Sequence, residues 1–468
     1  MNPPPHARLT TYVEEARDRI VETLFEWLRI PSISADPAHA ADVVRSAEFA
    51  ARLLGDCGLE NVAILPTPGA PAVYGDWLHA GPEAPTVVVY GHHDVQPVTP
   101  LELWETPPFE PEIRHGECLA RGAIDDKGQV LYQAEAIRGL LRRDGALPVN
   151  IKFLVEGEEE VGSPHFEALL HAERDRIASD LIVVSDTGMI SPSVPSTCVS
   201  MRGLVGMHVR LSSARGDLHS GVFGGAVPNA ALVAAQLAAA LHDRDGRVTL
   251  PGFYDAVRPL SAAEEASLAA VPFDEAAWME QAGVTATWGE PGRSVLEKVG
   301  ARPTAEVVGI SGGYSGPGLK TIVPATADLI VALRLVTDQQ PADVIATFRA
   351  WVAERLPPGV TATVTSEGGG VAPARTPVEH PAVAALCRVI ERIWGAPPLF
   401  TREGGSGPEE ALTRVLEAPL LFLGVGLPGD RIHAPNERMV MDQFWKGLLA
   451  AGELWPELAA SHRAPARP

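Results

Sequence analysis

Cysteine is scarce in this chain of 468 residues: four only, Cys57, Cys118, Cys198 and Cys387, with no CxxC pair among them. That spacing excludes a zinc knuckle and a dense disulfide framework, and the four read as buried thiols of a reducing compartment. Long apolar runs are also missing. The longest, Ala230 to Leu241, is alanine-rich and broken by Gln236, well short of the about 20 residues a membrane span needs. The first twenty residues, MNPPPHARLTTYVEEARDRI, lack the apolar core of a signal peptide, so a cytoplasmic location is the expectation. Positive charge is in deficit, with 38 Lys plus Arg against 59 Asp plus Glu and a net charge of −21. Such an excess of anions argues against nucleic acid and anionic membrane as partners. No histidine is followed directly by glutamate, which excludes the HExxH zinc arrangement. The glycine-rich Gly404-Gly405-Ser406-Gly407-Pro408 lacks the Gly-Lys-Ser/Thr ending of a phosphate loop, and Pro408 spoils a GxSxG nucleophile elbow. No internal repeat is present, and the proline-rich termini are expected to fray.

What is present is material for a core: 46% of residues are hydrophobic and 21% charged. The length is about three times the ~150 residues at which a single core stops growing, so two or three domains are expected. Val13, Ile20, Leu24 and Leu28 mark a helix from about residue 8 to 30, ended by Pro31-Ser32, and a second runs from about 40 to 57. Unbroken apolar runs then alternate with helical segments: 86–90, 149–155, 181–185 and 419–424. Runs without polar alternation suit strands buried on both faces of a mainly parallel α/β sheet. Between about 199 and 380 the texture changes to alternating strands, 206–211 and 328–336, with helices over 229–242 and 341–355. Two strand–helix–strand halves predict a ferredoxin-like α+β domain, itself interrupted by an insertion over 246–302 rich in Glu, Ala, Pro and Trp. A helix at about 383–393 and strands from 396 then resume the first texture. The expected organisation is therefore a larger domain of 1–198 and 381–468 around an inserted domain of 199–380.

In an open α/β sheet, ligands bind beyond the carboxyl ends of the strands. Here the run 86–90 leads into Gly91-His92-His93-Asp94, the run 149–155 into Glu156-Gly157-Glu158-Glu159-Glu160, and the run 181–185 into Asp186. The run 419–424 is followed by His433-Ala434-Pro435-Asn436-Glu437, and Arg121-Gly122-Ala123-Ile124-Asp125-Asp126-Lys127-Gly128 precedes a helix over 130–140. Each cluster alone suits a helix cap or a solvated turn. Five of them at one sheet edge would gather more anions than can be desolvated together without a compensating cation. Mixed imidazole and carboxylate donors suit a pair of divalent ions, zinc, manganese or cobalt, about 3.5–4 Å apart.

Gly91-His92-His93-Asp94-Val95-Gln96-Pro97, Arg121-Gly122-Ala123-Ile124-Asp125-Asp126-Lys127-Gly128, Glu156-Gly157-Glu158-Glu159-Glu160-Val161-Gly162-Ser163, Asp217-Leu218-His219-Ser220-Gly221 and His433-Ala434-Pro435-Asn436-Glu437 together resemble the motifs of the dinuclear metallopeptidase family that includes acetylornithine deacetylase, succinyl-diaminopimelate desuccinylase, glutamate carboxypeptidase and the carnosinase-like dipeptidases. Their order and spacing match from about residue 10 to 455. The resemblance implies a zinc-peptidase-like catalytic domain with a lid and dimerisation domain inserted in it. It implies two divalent ions per subunit, zinc first, with Asp125 bridging, His92 and Asp186 completing one ion, and Glu160 and His433 the other. Asp94 would orient His92, and Glu159 would be the general base for a metal-bridging water. A one-residue shift at each doublet, to His93, Asp126 or Glu158, stays open; the frame with His92 is preferred because Asp94 lies two residues beyond it. The resemblance further implies a cis Asp125–Asp126 peptide. His219 is similar to a histidine that reaches across a homodimer to the partner's oxyanion, and Arg334 to an arginine that holds the substrate's carboxylate, with Ser406 in support. The sequences around Glu156, Asp217 and Arg402, and the 246–302 insertion, are most similar to the dipeptidase branch, although Gly407-Pro408 departs from its aliphatic-proline pattern. The expected activity is hydrolysis of a dipeptide with a free carboxylate, the alternative being deacylation of N-acyl amino acids.

Overall fold

The computed structural model describes residues 5–463; the proline-rich ends expected to fray lie outside them, except for Pro5. The chain forms two compact units, one of residues 1–199, 375–401 and 407–468, the other of 200–374 and 402–406. The brief return of 402–406 to the second unit has no sequence signal.

The first unit is built on a six-stranded sheet in the spatial order Glu60–Leu65, Ala72–Trp77, Asn150–Glu156, Thr86–His92, Leu181–Val184, Leu420–Phe422. The last four strands run parallel, as expected of unbroken apolar runs. The first two run antiparallel and extend the sheet beyond the expected set. Ala72–Trp77 hides from a hydropathy reading because Asp76 sits inside it. That buried carboxylate is satisfied by the Tyr74 hydroxyl at 2.8 Å and the Asn61 amide at 2.8 Å, so its burial is not penalised. Helix Pro5–Leu28 turns Leu9, Val13, Ile20, Leu24 and Trp27 into the core at helical spacing. Helix Lys127–Asp144 is longer than the expected 130–140 and ends at Gly145, in the left-handed conformation with φ 68°. Its polar residues are buried with partners: Gln133 donates to Ser185 Oγ at 2.7 Å, and Gln129 accepts from the Val425 N–H at 2.9 Å. Helices Pro381–Trp394 and Met441–Arg463 pack together, and the latter also packs against Lys127–Asp144. Cys57, Cys118 and Cys198 are buried, whereas Cys387 is only half-buried and packs against the core.

The second unit carries four antiparallel strands in the order Thr304–Gly312, Thr326–Leu335, Gly203–Ser212, Thr361–Val371. With helices Ala230–Ala240 and Pro341–Arg355 in the crossovers, this is the ferredoxin-like arrangement. Strand alternation points Val205, Met207, Val209 and Leu211 toward the helices. The insertion forms three short helices, Ala262–Ala270, Glu275–Ala282 and Val295–Gly300. The first and last are fixed by capping boxes, Ser261 with Glu264 and Ser294 with Glu297. No helix of the described residues is long and apolar enough to cross a membrane.

Candidate functional site

The carboxyl edge of the parallel strands gathers the acidic and imidazole side chains of the first unit. Strand Thr86–His92 ends on His92, which is paired in register with Glu156, the last residue of its neighbour. Asp186 lies two residues past Leu181–Val184. Asp125 precedes helix Lys127–Asp144, whose start is pressed so close to the preceding loop that a Cβ on Gly128 would sit 2.0 Å from the Ala123 carbonyl oxygen; only glycine fits there. The Asp125–Asp126 peptide is cis. His433, eleven residues beyond Leu420–Phe422 and followed at once by Ala434-Pro435, takes a left-handed backbone with φ 60°.

The two oxygens of Asp125 face two imidazoles. Oδ1 lies 3.0 Å from His92 Nε2 and Oδ2 lies 2.9 Å from His433 Nε2. His92 is fully buried and its Nε2 also faces Asp186 at 3.4 Å, while His433 Nε2 faces Glu160 at 3.1 Å. Two triads, His92 with Glu159 and Asp186, and His92 with Asp125 and Glu160, each bring their donor atoms within 4.8 Å of one another. Six of the seven first-unit residues singled out in the sequence thus converge, and Asp94 lies behind them. Its carboxylate is 3.3 Å from His92 Nδ1 and accepts the Glu160 N–H at 3.1 Å.

The electrostatics favour a compensating positive charge. Burial, then the neighbouring Asp186, Glu160 and Asp125, pushes the Glu159 carboxyl up to about 10, against the pull of His92. Burial and Asp125 push Glu160 up to about 7. Hydrogen bonds to Asp125 and Glu160 raise the His433 imidazole to about 10. For Asp125, burial alone would raise the carboxyl, but His433 and His92 hold it below the ordinary carboxylate range. The Glu160 Oε1 atom is buried with no hydrogen-bond partner. An orphaned carboxylate oxygen among imidazole nitrogens and further carboxylates fits a divalent metal ion.

The one-residue alternatives point elsewhere. His93 Nε2 pairs with the Pro71 carbonyl at 2.9 Å and burial lowers its imidazole to about 4. Asp126 accepts the His92 N–H at 3.2 Å, and Glu158 pairs with His165 at 2.8 Å.

Supporting residues escaped the sequence reading. Gln96 donates to Glu160 Oε2 at 2.7 Å, and Ser34 to Asp94 Oδ2 at 2.6 Å. Glu437 and Arg121 form a buried ion pair at 2.6 Å. Gln96, Arg121 and Glu437 all stand inside the conspicuous motifs, so proximity to the candidate ligands was the available signal; Ser34 carries none.

The remaining candidates belong to the second unit. Arg334 Nη1 donates to Ser406 Oγ at 2.9 Å, and that hydroxyl donates to the Arg202 carbonyl at 2.6 Å. His219 is exposed, and its Nδ1 accepts the Gly221 N–H at 3.0 Å. It shares no contact with Arg334 or Ser406.

The chain is similar to known proteins over nearly its whole length. The β-Ala-His dipeptidase of Rattus norvegicus is 29% identical over 98% of this chain and 97% of its own length. The Cys-Gly metallodipeptidase dug1 of Schizosaccharomyces pombe is 28% identical over 94% of this chain and 96% of its own. Among solved structures, the metallo-carboxypeptidase Sso-CP2 of Sulfolobus solfataricus superposes with a TM-score of 0.82 and 28% identity, covering 94% of this chain and 99% of that one. The pattern of peptidase family M20/M25/M40 matches residues 88–455, and the chain belongs to this family.

Proposed function

We propose that this protein is a metal-dependent dipeptidase that hydrolyses the amide bond of dipeptides with a free C-terminal carboxylate. The observation that carries the reading is the division of the Asp125 carboxylate between His92 and His433, with Glu159, Glu160 and Asp186 around them. The names of the similar proteins support dipeptides and do not favour the N-acyl amino acid alternative.

His92, Asp125 and Asp186 would hold one ion, and Asp125, Glu160 and His433 the other. Two divalent ions, zinc first and manganese or cobalt as alternatives, supply Lewis-acid polarisation of the scissile carbonyl and acidify water. Asp94 fixes the His92 ring from behind, and Gln96 orients Glu160. Glu159, buried and crowded by carboxylates, is the general base: it takes a proton from the attacking water and returns it to the leaving nitrogen as the C–N bond breaks. The products are one amino acid with a new carboxylate and one with a free amine. Arg334 and Ser406 hold the substrate's carboxylate; a planar guanidinium beside a hydroxyl suits that group. His219 is the oxyanion donor. Because its Nδ1 accepts a backbone N–H, the neutral ring carries its proton on Nε2, free to donate.

Two further readings accompany this. A homodimer, with His219 acting across it, is supported by Val307, Val308 and Ile310, exposed on the edge strand Thr304–Gly312. The four cysteines, none of them in a disulfide, support a cytoplasmic setting. A panel of dipeptides against N-acetyl and N-succinyl amino acids, on protein loaded with zinc, manganese or cobalt, tests the function. Dipeptide turnover is the expected result; turnover of acylated amino acids alone would overturn it.

A further inference from the structure

The insertion 246–302 has no part in the chemistry above, yet it builds one wall of a cavity. That cavity, about 490 Å³, lies within the second unit, with Arg202, Arg334 and Glu306 on the sheet side and Trp278, Trp288 and Lys298 from the insertion. Its volume is that of a small-molecule site. Arg334 pairs in register with Leu204, so Arg202, two residues back, projects on the same face of the sheet beside it. Among the described residues neither guanidinium forms an ion pair with a carboxylate, although Glu306 lies close enough to attract Arg202. Arg202 Nε donates to the Gly404 carbonyl at 3.0 Å, and Arg334 Nη1 to Ser406. Nearby arginines are treated differently: Arg302 and Arg247 both pair with Glu290, at 2.6 and 2.8 Å. Burial, then the adjacent Arg334, lowers the Arg202 guanidinium to about 10. Among the described residues, three cations without ion pairs, Arg202, Arg334 and Lys298, thus share the cavity with one such carboxylate, Glu306. Like charges held together in a half-buried wall are destabilising until an anion arrives.

The reading above assigns one anion, the substrate's terminal carboxylate, to Arg334 and Ser406. Arg202 and Lys298 remain for a second. We infer that this cavity receives the side chain of the carboxylate-bearing residue and selects aspartate or glutamate there, with Arg202 as the specificity-determining residue. Trp278 and Trp288 supply apolar cover for the side chain's methylene groups.

The inference rests on the dipeptidase reading, and the experiment separates the two. On the metal-loaded full-length protein, kcat/KM is compared for Ala-Asp and Ala-Glu against Ala-Asn, Ala-Gln and Ala-Ala. The acidic peptides should exceed their amide counterparts at least tenfold, chiefly through KM, and Arg202→Met should bring that ratio toward one. Arg202→Lys, which keeps the charge without the fork, should give an intermediate ratio and covers failure of the first variant to fold. Calorimetric binding of glutarate against pentanoate gives a readout free of turnover: glutarate should bind at least tenfold tighter, and less so after Arg202→Met. Equal kcat/KM for acidic and amide peptides, or equal binding of the two acids, would overturn the pocket. Absence of turnover on every dipeptide, with glutarate still preferred, would overturn the dipeptidase reading alone.

Discussion

The Glu437 carboxylate meets the Arg121 guanidinium at 2.6 Å with neither side chain more than 2% exposed. The same carboxylate accepts the N–H groups of Gly122, Ile124 and Asp125 at 3.1, 3.1 and 3.2 Å, and Arg121 also donates to the Pro97 and Ala434 carbonyls. One ion pair therefore fastens the segment after Asp94, the loop of Asp125 and the loop of His433. Removing one partner of such a pair strands the other charge, at a cost of about 3–5 kcal/mol. Glu437→Gln should lower the urea unfolding free energy by about that amount, and should also release metal at lower chelator concentration. An unchanged midpoint together with unchanged chelator resistance would refute the fastening role.

Glu159→Gln keeps the shape of the side chain and removes its capacity to take a proton. Turnover should fall about 10²–10⁴-fold, while elemental analysis still finds two divalent ions per chain. An active variant would exclude Glu159 as the base.

Asp94 touches both His92 and the Glu160 backbone. Outer partners of this kind are worth about 10–100-fold in metal affinity. Asp94→Ala should show that loss in competition with a fluorescent chelator, with far-ultraviolet circular dichroism unchanged; wild-type affinity would show that the contact does not orient the ligand.

Burial pushes the Glu156 carboxyl up to about 8, only partly opposed by the Tyr90 hydroxyl that bonds it. The folded state therefore keeps a proton that the unfolded chain releases above its ordinary value of 4.5. The resulting stability is complete below that pH, declines as pH rises, and is lost once pH passes about 8. Urea midpoints measured at pH 5, 6.5 and 8 should fall less steeply in Glu156→Gln than in the wild type. Parallel slopes would contradict the assignment.

If His219 serves the neighbouring subunit, His219→Ala and Glu159→Gln proteins, each nearly inactive alone, should regain activity on mixing under conditions of subunit exchange. Hybrid dimers then hold one intact site. Failure to recover activity, with exchange verified by a labelled subunit, would place His219 in its own subunit's chemistry or outside it.

Much of this was legible in the sequence because the chemistry sits where chain and sheet geometry force it. His92, Glu156 and Asp186 follow unbroken apolar runs, and such runs announce buried parallel strands. Asp76 and Gly75 hid the strand Ala72–Trp77, because its polar residues are satisfied by partners, Tyr74 and Asn61, that a hydropathy reading cannot see. Lys127 and Gln129 hid the first turn of the helix Lys127–Asp144 for the same reason, their partners being the Ile30 carbonyl and the Val425 N–H. Ser34 was invisible since its partner lies 60 residues away. Arg202 escaped because nothing marks an arginine as unpaired until its neighbours are placed.

Among the described residues, the clustered side chains that could hold a metal offer oxygen and nitrogen alone; no cysteine stands among them. Without sulfur the site has no strong preference for a soft ion, and first-row divalent metals then compete by supply as much as by affinity. The ion carried by a given preparation would accordingly mirror the medium in which the cells grew. Thiol-blocking reagents, for their part, would leave catalysis untouched.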